Sequence, residues 1–382
     1  MASEDMAIKG ANINIKVLGI GGGGNSVLQR MAESNFLDIE LVAVNTEVKQ
    51  LARMDASKIK SVQIGEALTK GRGTGGNQEF GAKAAKMEEA KLKARMQGAD
   101  MIFVTAGMGG GTGTGAAPVV ARLAKEMGIL TVGVVTVPFA FEGARKKRLA
   151  EEGIVRLQAY MDALIVVQND NLMKLPENRT MSLVEAFHAA DEVLKQAIRC
   201  VAELILTTGV VNVDFADVTT IFRQSDSSDA LLGIGRSKVS AVAAVQQAIE
   251  SPLIDKSLKG ARGIILNITG DDSLSLYDVN EATSYIYKQT DDDVNIIFGT
   301  VIDQAMDGVI QATIIATDFA DSLALKAPTV EVPQNKVAVA ANSDLSLEAP
   351  SFMQKSGDEP KSGSGAFAIP AFRLTQEEPP KD

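Results

Sequence analysis

Apolar residues gather in short runs separated by glycine-rich or polar text. Ile15, Val17, Leu18 and Ile20 make residues 13–20 read as a buried strand. A glycine run follows at Gly19 and Gly21–Gly24, and Asn25–Glu33 has helical spacing. Strand text returns at Ile39–Val44, Met101–Thr105, Leu130–Val137 and Ala163–Val167. Between these runs, Lys83–Gln97 is Ala/Lys/Glu-rich with a helical period. A second glycine loop, Gly107–Gly115, leads into a helix over Pro118–Met127, with Pro118 in its first turn. This alternation predicts an α/β fold with a doubly wound parallel sheet. Ligands of such sheets lie at the carboxyl ends of the strands.

Ser182–Leu206 is a long apolar helical stretch whose wide apolar face suits a helix connecting two domains. A second α/β domain follows, with strands at Gly263–Thr269, Val294–Val301 and Gln311–Ala316 and a helix at Leu274–Lys288. The boundaries expected are 13–177 for the first domain, 178–206 for the connecting helix and 207–318 for the second domain. Residues 319–365 lose period and aromatics and read as a disordered linker. A terminal peptide, 366–382, carries the apolar patch Ala366–Leu374.

Composition narrows the chemistry. No run approaches the ~18 apolar residues of a membrane span. The N-terminus, with Glu4 and Asp5, has no signal-peptide pattern, so a cytoplasmic protein without membrane insertion is expected. Cys200 and His188 are the only cysteine and histidine. An intrachain disulfide and a cysteine metal cluster are thereby excluded, and a His-dependent triad is disfavoured. The net charge of −10 disfavours nucleic acid as a partner. The one dense basic run, Arg145–Arg148, sits among Glu142, Glu151 and Glu152, as on a solvated helix face.

The first glycine loop, Gly19–Ser26 (GIGGGGNS), follows a strand and precedes a helix, a setting in which backbone N–H groups approach phosphate oxygens. A dinucleotide-binding loop looks similar, and Glu47 even supplies an acid at ribose-contact spacing. The second loop is more specific. Gly107–Gly115 packs six glycines and two threonines into nine residues, with Thr112 and Thr114 able to add hydroxyls to a phosphate cradle. It lacks the lysine of a GxxxxGK[ST] loop and is not a dinucleotide fingerprint.

GGGTGTG (Gly109–Gly115) resembles the signature of the tubulin superfamily, and of its FtsZ family in particular. The resemblance extends from about Ile13 to Asp318 through AVNTE (Ala43–Glu47), GGN (Gly75–Asn77) and PFAFEG (Pro138–Gly143). It implies a tubulin-like fold whose 13–177 domain binds GTP and GDP. Gly21, Gly22, Gly23, Gly24, Asn25 and Ser26, with Gly109, Gly110, Gly111, Thr112 and Gly113, would then hold phosphates, and Asn45 would join the nucleotide contacts. Glu142 would meet the ribose, joined by Lys146 where many relatives have arginine. Phe187 would stack on guanine, and Asp191 would accept from its N1–H and amine. The alternative for Phe187 is a core aromatic on a buried helix. His188, its neighbour, reads as structural or exposed. Mg²⁺ is expected to be held mainly by phosphates, with no dedicated protein ligands.

NVDFAD (Asn212–Asp217) places two carboxylates three apart at a helix start, which ordinary capping would also explain. The resemblance implies instead a loop inserted into the next subunit's nucleotide site. There Asp214 and Asp217 would position the attacking water and Asn212 would help orient them. A head-to-tail homopolymer and a division-ring role at mid-cell follow from it. The tail motif Ile369–Arg373 (IPAFR) resembles the peptide that docks on membrane tethers and division regulators. Departures from the family pattern are Thr208, in place of a proline, and the polar stretch Arg223–Ser237. Two other readings are a dinucleotide-dependent oxidoreductase, which leaves GGGTGTG and NVDFAD without a role, and a non-hydrolysing GTP-binding homologue.

Overall fold

The computed structural model describes residues 13–34, 37, 39–175, 180–207, 213–224, 228–254 and 257–319. Thr208, Asn212, the linker and the tail motif lie outside the described residues. Among the described residues, ten strands form one sheet. They are β1 (Ile15–Ile20), β2 (Glu40–Asn45), β3 (Ile59–Gln63), β4 (Met101–Gly107), β5 (Leu130–Val137), β6 (Ala163–Gln168), β7 (Asp229–Ser237), β8 (Ala261–Gly270), β9 (Asn295–Ile302) and β10 (Ile310–Phe319). Their order is β3-β2-β1-β4-β5-β6-β7-β10-β8-β9. Of these described strands, only β10 runs antiparallel to its neighbours, β7 and β8. The expected α/β architecture is therefore present, as one mostly parallel sheet.

The helices are α1 (Gly21–Glu33), α2 (Val48–Leu51), α3 (Glu66–Thr69), α4 (Gln78–Met87), α5 (Glu89–Met96), α6 (Thr112–Glu126), α7 (Ala144–Gln158), α8 (Asn169–Leu172), α9 (Leu183–Leu206), α10 (Phe215–Arg223), α11 (Ala241–Ile249) and α12 (Leu276–Tyr287). Apolar side chains of α1, α9 and α10 cover one face of the sheet. Those of α4–α7 cover the other face over the β1–β6 half, and those of α11 and α12 over the rest. Burial on both faces explains why β1 and β5 read as continuous apolar runs. The long α9 starts at a capping box between Ser182 and Glu185. Among the described residues, no helix is long and apolar enough to cross a membrane.

Several elements differ from the sequence expectation. The first helix begins at Gly21, not Asn25. Glycine weakens a helix by about 1 kcal/mol each, yet here its lack of a side chain is what lets the helix dock. A Cβ on Gly24 would lie 2.4 Å from the Thr105 carbonyl oxygen. The helix expected from Pro118 begins at Thr112, and Pro118 lies inside it. The Lys83–Gln97 helix is two helices that meet at Glu88. The polar Arg223–Ser237 stretch contains β7, whose glycines admit α11 at close range: a Cβ on Gly235 would lie 2.1 Å from the Ala244 carbonyl oxygen.

Candidate functional site

The carboxyl ends of β1, β2, β4, β5 and β6 share one edge of the sheet, because these strands are parallel. At that edge the two glycine runs meet backbone to backbone. Gly21, at φ 70°, would place a Cβ 2.8 Å from Gly113 N, and Gly23 would place one 2.9 Å from Gly107 N. The amino ends of α1 and α6 therefore converge. Their N-cap residues are Ile20 and Gly111, with no side-chain cap and no acid in either first turn. Two such ends present N–H donors and the positive poles of both helix dipoles to one spot, which suits an anion. Gly22 and Gly23 are exposed there, and a Cβ on Gly110 would meet nothing within 4 Å.

Behind the glycines lies a bonded polar layer. The Asn25 amide donates to Gly19 O (2.9 Å) and its oxygen accepts from Asn45 (2.7 Å). Asn45 also donates to Gln50 (2.8 Å) and accepts from the Glu47 N–H (3.1 Å). Both asparagines are buried, and every side-chain polar atom they own is engaged with protein. They brace β1, α1 and β2 against each other. Ser26 is exposed and its hydroxyl donates to Gly22 O (3.1 Å). The buried Thr112 hydroxyl shares a 2.7 Å hydrogen bond with Thr46. Thr114, expected to offer a hydroxyl to a phosphate cradle, bonds within its own loop. Its oxygen accepts from Gly109 N at 2.8 Å and is wholly buried, so it shapes the loop.

The rim comes from β5, α7 and α9. Gly109, at φ 92°, lies so close to α7 that a Cβ would be 2.7 Å from Lys146 O. Glu142 accepts from Phe139 N and from Lys146 Nζ, both at 3.1 Å, so the two residues expected at a ribose form an ion pair. Phe187 is 40% exposed and meets buried Phe139 edge-on, with ring centroids 5.4 Å apart. It is a rim aromatic rather than a core one. One turn on, Asp191 accepts from Arg30 Nε at 2.9 Å. Burial pushes its carboxyl above the ordinary range, against the opposing pull of the Arg30 guanidinium. His188 is exposed and lines a shallow depression with Ser26, Gln29, Arg30 and Glu33.

Two residues of this rim escape sequence reasoning. Arg30 lies 161 positions from its partner Asp191, so no local pattern links them. Asn169, just after β6, is buried, and among the described residues its side-chain oxygen has no hydrogen-bond partner. Only the position of Asn169 just after a predicted strand end could have signalled it.

Asp214 and Asp217 stand elsewhere. Asp214 is the N-cap of α10 yet makes no side-chain cap hydrogen bond, and Asp217 lies in the first turn. Both are exposed, and among the described residues neither carboxylate has a hydrogen-bond or ion-pair partner. Phe215 and Arg223 of α10 line a cavity of about 240 Å³ with Asp100 and Gly128–Leu130, at the amino ends of β4 and β5. Arg223 also lies 3.6 Å from Asp162, just before β6. The acids are thus at the opposite edge from the glycine loops. Strands of this length separate the two edges by about 20 Å. Among the described residues, no group of three or more His, Cys, Asp or Glu side chains could hold a metal ion.

Residues 14–177 match the model of the Tubulin/FtsZ family GTPase domain, and residues 228–320 that of the FtsZ family C-terminal domain. Among solved structures, an empty FtsZ dimer from M. jannaschii is 39% identical, with a TM-score of 0.76, covering 80% of this chain and 88% of that one. A tryptophan-to-tyrosine mutant of M. jannaschii FtsZ matches at 39% identity and TM-score 0.77, covering 81% and 92%. The GTPγS-bound protofilament of CetZ2 from Haloferax volcanii shares the fold at 22% identity and TM-score 0.66, covering 81% and 95%.

Proposed function

Because the chain belongs to the tubulin/FtsZ family, a GTPase family, we propose that it is a GTP-dependent filament protein whose active site forms between successive subunits. One observation carries this reading: the anion-suited glycine edge and the partnerless acids lie at opposite edges of one sheet. A chain so built does not bring Asp214 and Asp217 to its own phosphates. Stacked head to tail, the acids of one subunit meet the glycine edge of the next. A contact of this kind that does not close on itself makes a filament.

In this reading the first turns of α1 and α6, from Gly21 and from Gly111, receive the phosphates through backbone N–H groups. Glu142 and Lys146 meet the ribose. Phe187 packs on the guanine, and Asp191 takes its N1–H and amine. Asp214 and Asp217 of the neighbour, with Asn212, hold a water in line with the γ-phosphorus and draw off its proton as the P–O bond to GDP breaks. The glycine edge stabilises the charge that gathers on the transferred phosphoryl oxygens. A magnesium ion, when present, would be held mainly by phosphates and would neutralise their charge.

We further propose that these filaments form the division ring of a bacterial cell, assembled in the cytoplasm at mid-cell. Ile369–Arg373 would tie them to membrane tethers and division regulators. The match to the FtsZ family C-terminal domain supports this choice within the superfamily.

A mixing experiment tests the shared site. Asp217→Ala keeps its glycine edge, and Asp191→Ala keeps its acids; each alone should turn over GTP poorly. Mixed in equal amounts, about a quarter of randomly ordered head-to-tail contacts pair a sound glycine edge with sound acids, and turnover should return to that extent. A mixture no more active than its parts contradicts the reading.

A further inference from the structure

We infer that Arg30, on α1, is a positioning residue for base selection, which orients the Asp191 carboxylate and keeps it an acceptor-only group. The inference rests on the base-recognition reading of Asp191 above. Arg30 Nε donates to Asp191 Oδ2 at 2.9 Å, and both side chains are largely covered. Among the described residues, nothing else hydrogen-bonds to the carboxylate, so Oδ1 is left to a ligand. The same helix carries the glycine turn at its amino end. Gly21 and Arg30 are nine residues apart, about 13 Å along the axis, the reach of a nucleotide from phosphate to base. α1 can therefore touch both ends of one ligand.

The chemistry turns on the charge of Asp191. An ionised carboxylate only accepts, which matches the two adjacent donors of guanine, N1–H and the amine. Adenine presents a lone pair at N1, which that charge repels. A protonated carboxyl gains a donor and tolerates adenine. Burial drives Asp191 toward the protonated form, and Glu192 adds to this; Arg30 opposes it most strongly, followed by His188. Glu33 faces the same depression from α1. Removing Arg30 should therefore cost selectivity in a pH-dependent way, unlike the loss of a clip that merely fastens α1 to α9.

The test titrates GDP and ADP separately into the full chain, using diphosphates so that hydrolysis does not intrude. Wild type should prefer GDP equally at about pH 6 and about pH 8.5. Arg30→Gln should lose about tenfold or more of that preference at the lower pH and regain part of it at the higher. Arg30→Lys, which keeps the charge without the planar fork, should move in the same direction by less, and it carries the test if Arg30→Gln does not fold. A preference unchanged in both variants, or an equal weakening of GDP and ADP at both pH values, overturns the inference. Asp191→Ala separates the levels. If it keeps the GDP preference, the base-recognition reading falls and this inference with it. If it loses the preference while the Arg30 variants keep theirs, only the role of Arg30 falls.

Discussion

The two edges of the sheet are built in opposite ways. At the carboxyl edge, Asn25, Asn45, Thr46, Thr112 and Thr114 are buried, and their side chains are bonded to one another or to nearby backbone. What that edge turns outward is chiefly glycine and helix amino ends. At the amino edge, Asp214 and Asp217 are exposed and partnerless among the described residues. The first edge is organised in advance for a ligand, so little reorganisation accompanies binding. The second displays carboxylates that no described residue pairs. In the proposed function neither edge is a site by itself, and their separation would make assembly a condition of chemistry.

The sharpest way to break this comparison is to remove charge from the amino edge alone. Asp217→Ala should lower GTP turnover by about 10²–10⁴-fold, the range for losing a positioned proton acceptor, while leaving GTP affinity within about twofold, as an equilibrium titration would show. An affinity loss as large as the rate loss would mean that the two edges are not separate. Stability offers a second probe, on the carboxyl edge. Gly24→Ala places a Cβ 2.4 Å from a carbonyl oxygen and should cost about 1–3 kcal/mol, as overpacking does. Gly110→Ala meets nothing within 4 Å and should be nearly neutral in stability. Denaturant titration that ranks the two equally would contradict the packing role of Gly24.

The smallest effect lies within α9, where two carboxyls shift in opposite directions. The Ser182 backbone N–H bond holds Glu185 below the ordinary range, whereas burial raises Asp191. A lowered carboxyl stabilises the fold above its unfolded value and loses that contribution as pH falls through its folded value. The raised Asp191 does the reverse, contributing most at low pH and less as pH rises through its folded value. The melting temperature of Glu185→Ala should therefore differ most from wild type near neutrality and converge on it in acid. A difference that grows in acid would reverse the assignment.

Much of this was legible in the sequence, for physical reasons. Strands buried on both faces must be apolar throughout, so β1, β4, β5 and β6 announce themselves. The long α9 does the same through its apolar width. Helix starts at Gly21 and Thr112 were not legible, because local propensity speaks against glycine and only close packing against a distant strand reverses it. β7 was hidden by glycines that exist to admit α11. At the site, the glycine edge could be read from composition, but the bracing of Asn25 by Asn45 could not. The Arg30–Asp191 pair joins residues on separate helices, a relation that exists only in the fold.

Turnover per subunit, followed as the protein is diluted, bears most directly on the shared site. Specific GTPase activity should be close to zero at low concentration, where GTP still binds, and should rise steeply once subunits assemble, with light scattering rising at the same concentration. Specific activity that stays constant on dilution would mean that one chain holds a complete site, and it would contradict the division of labour between the two edges.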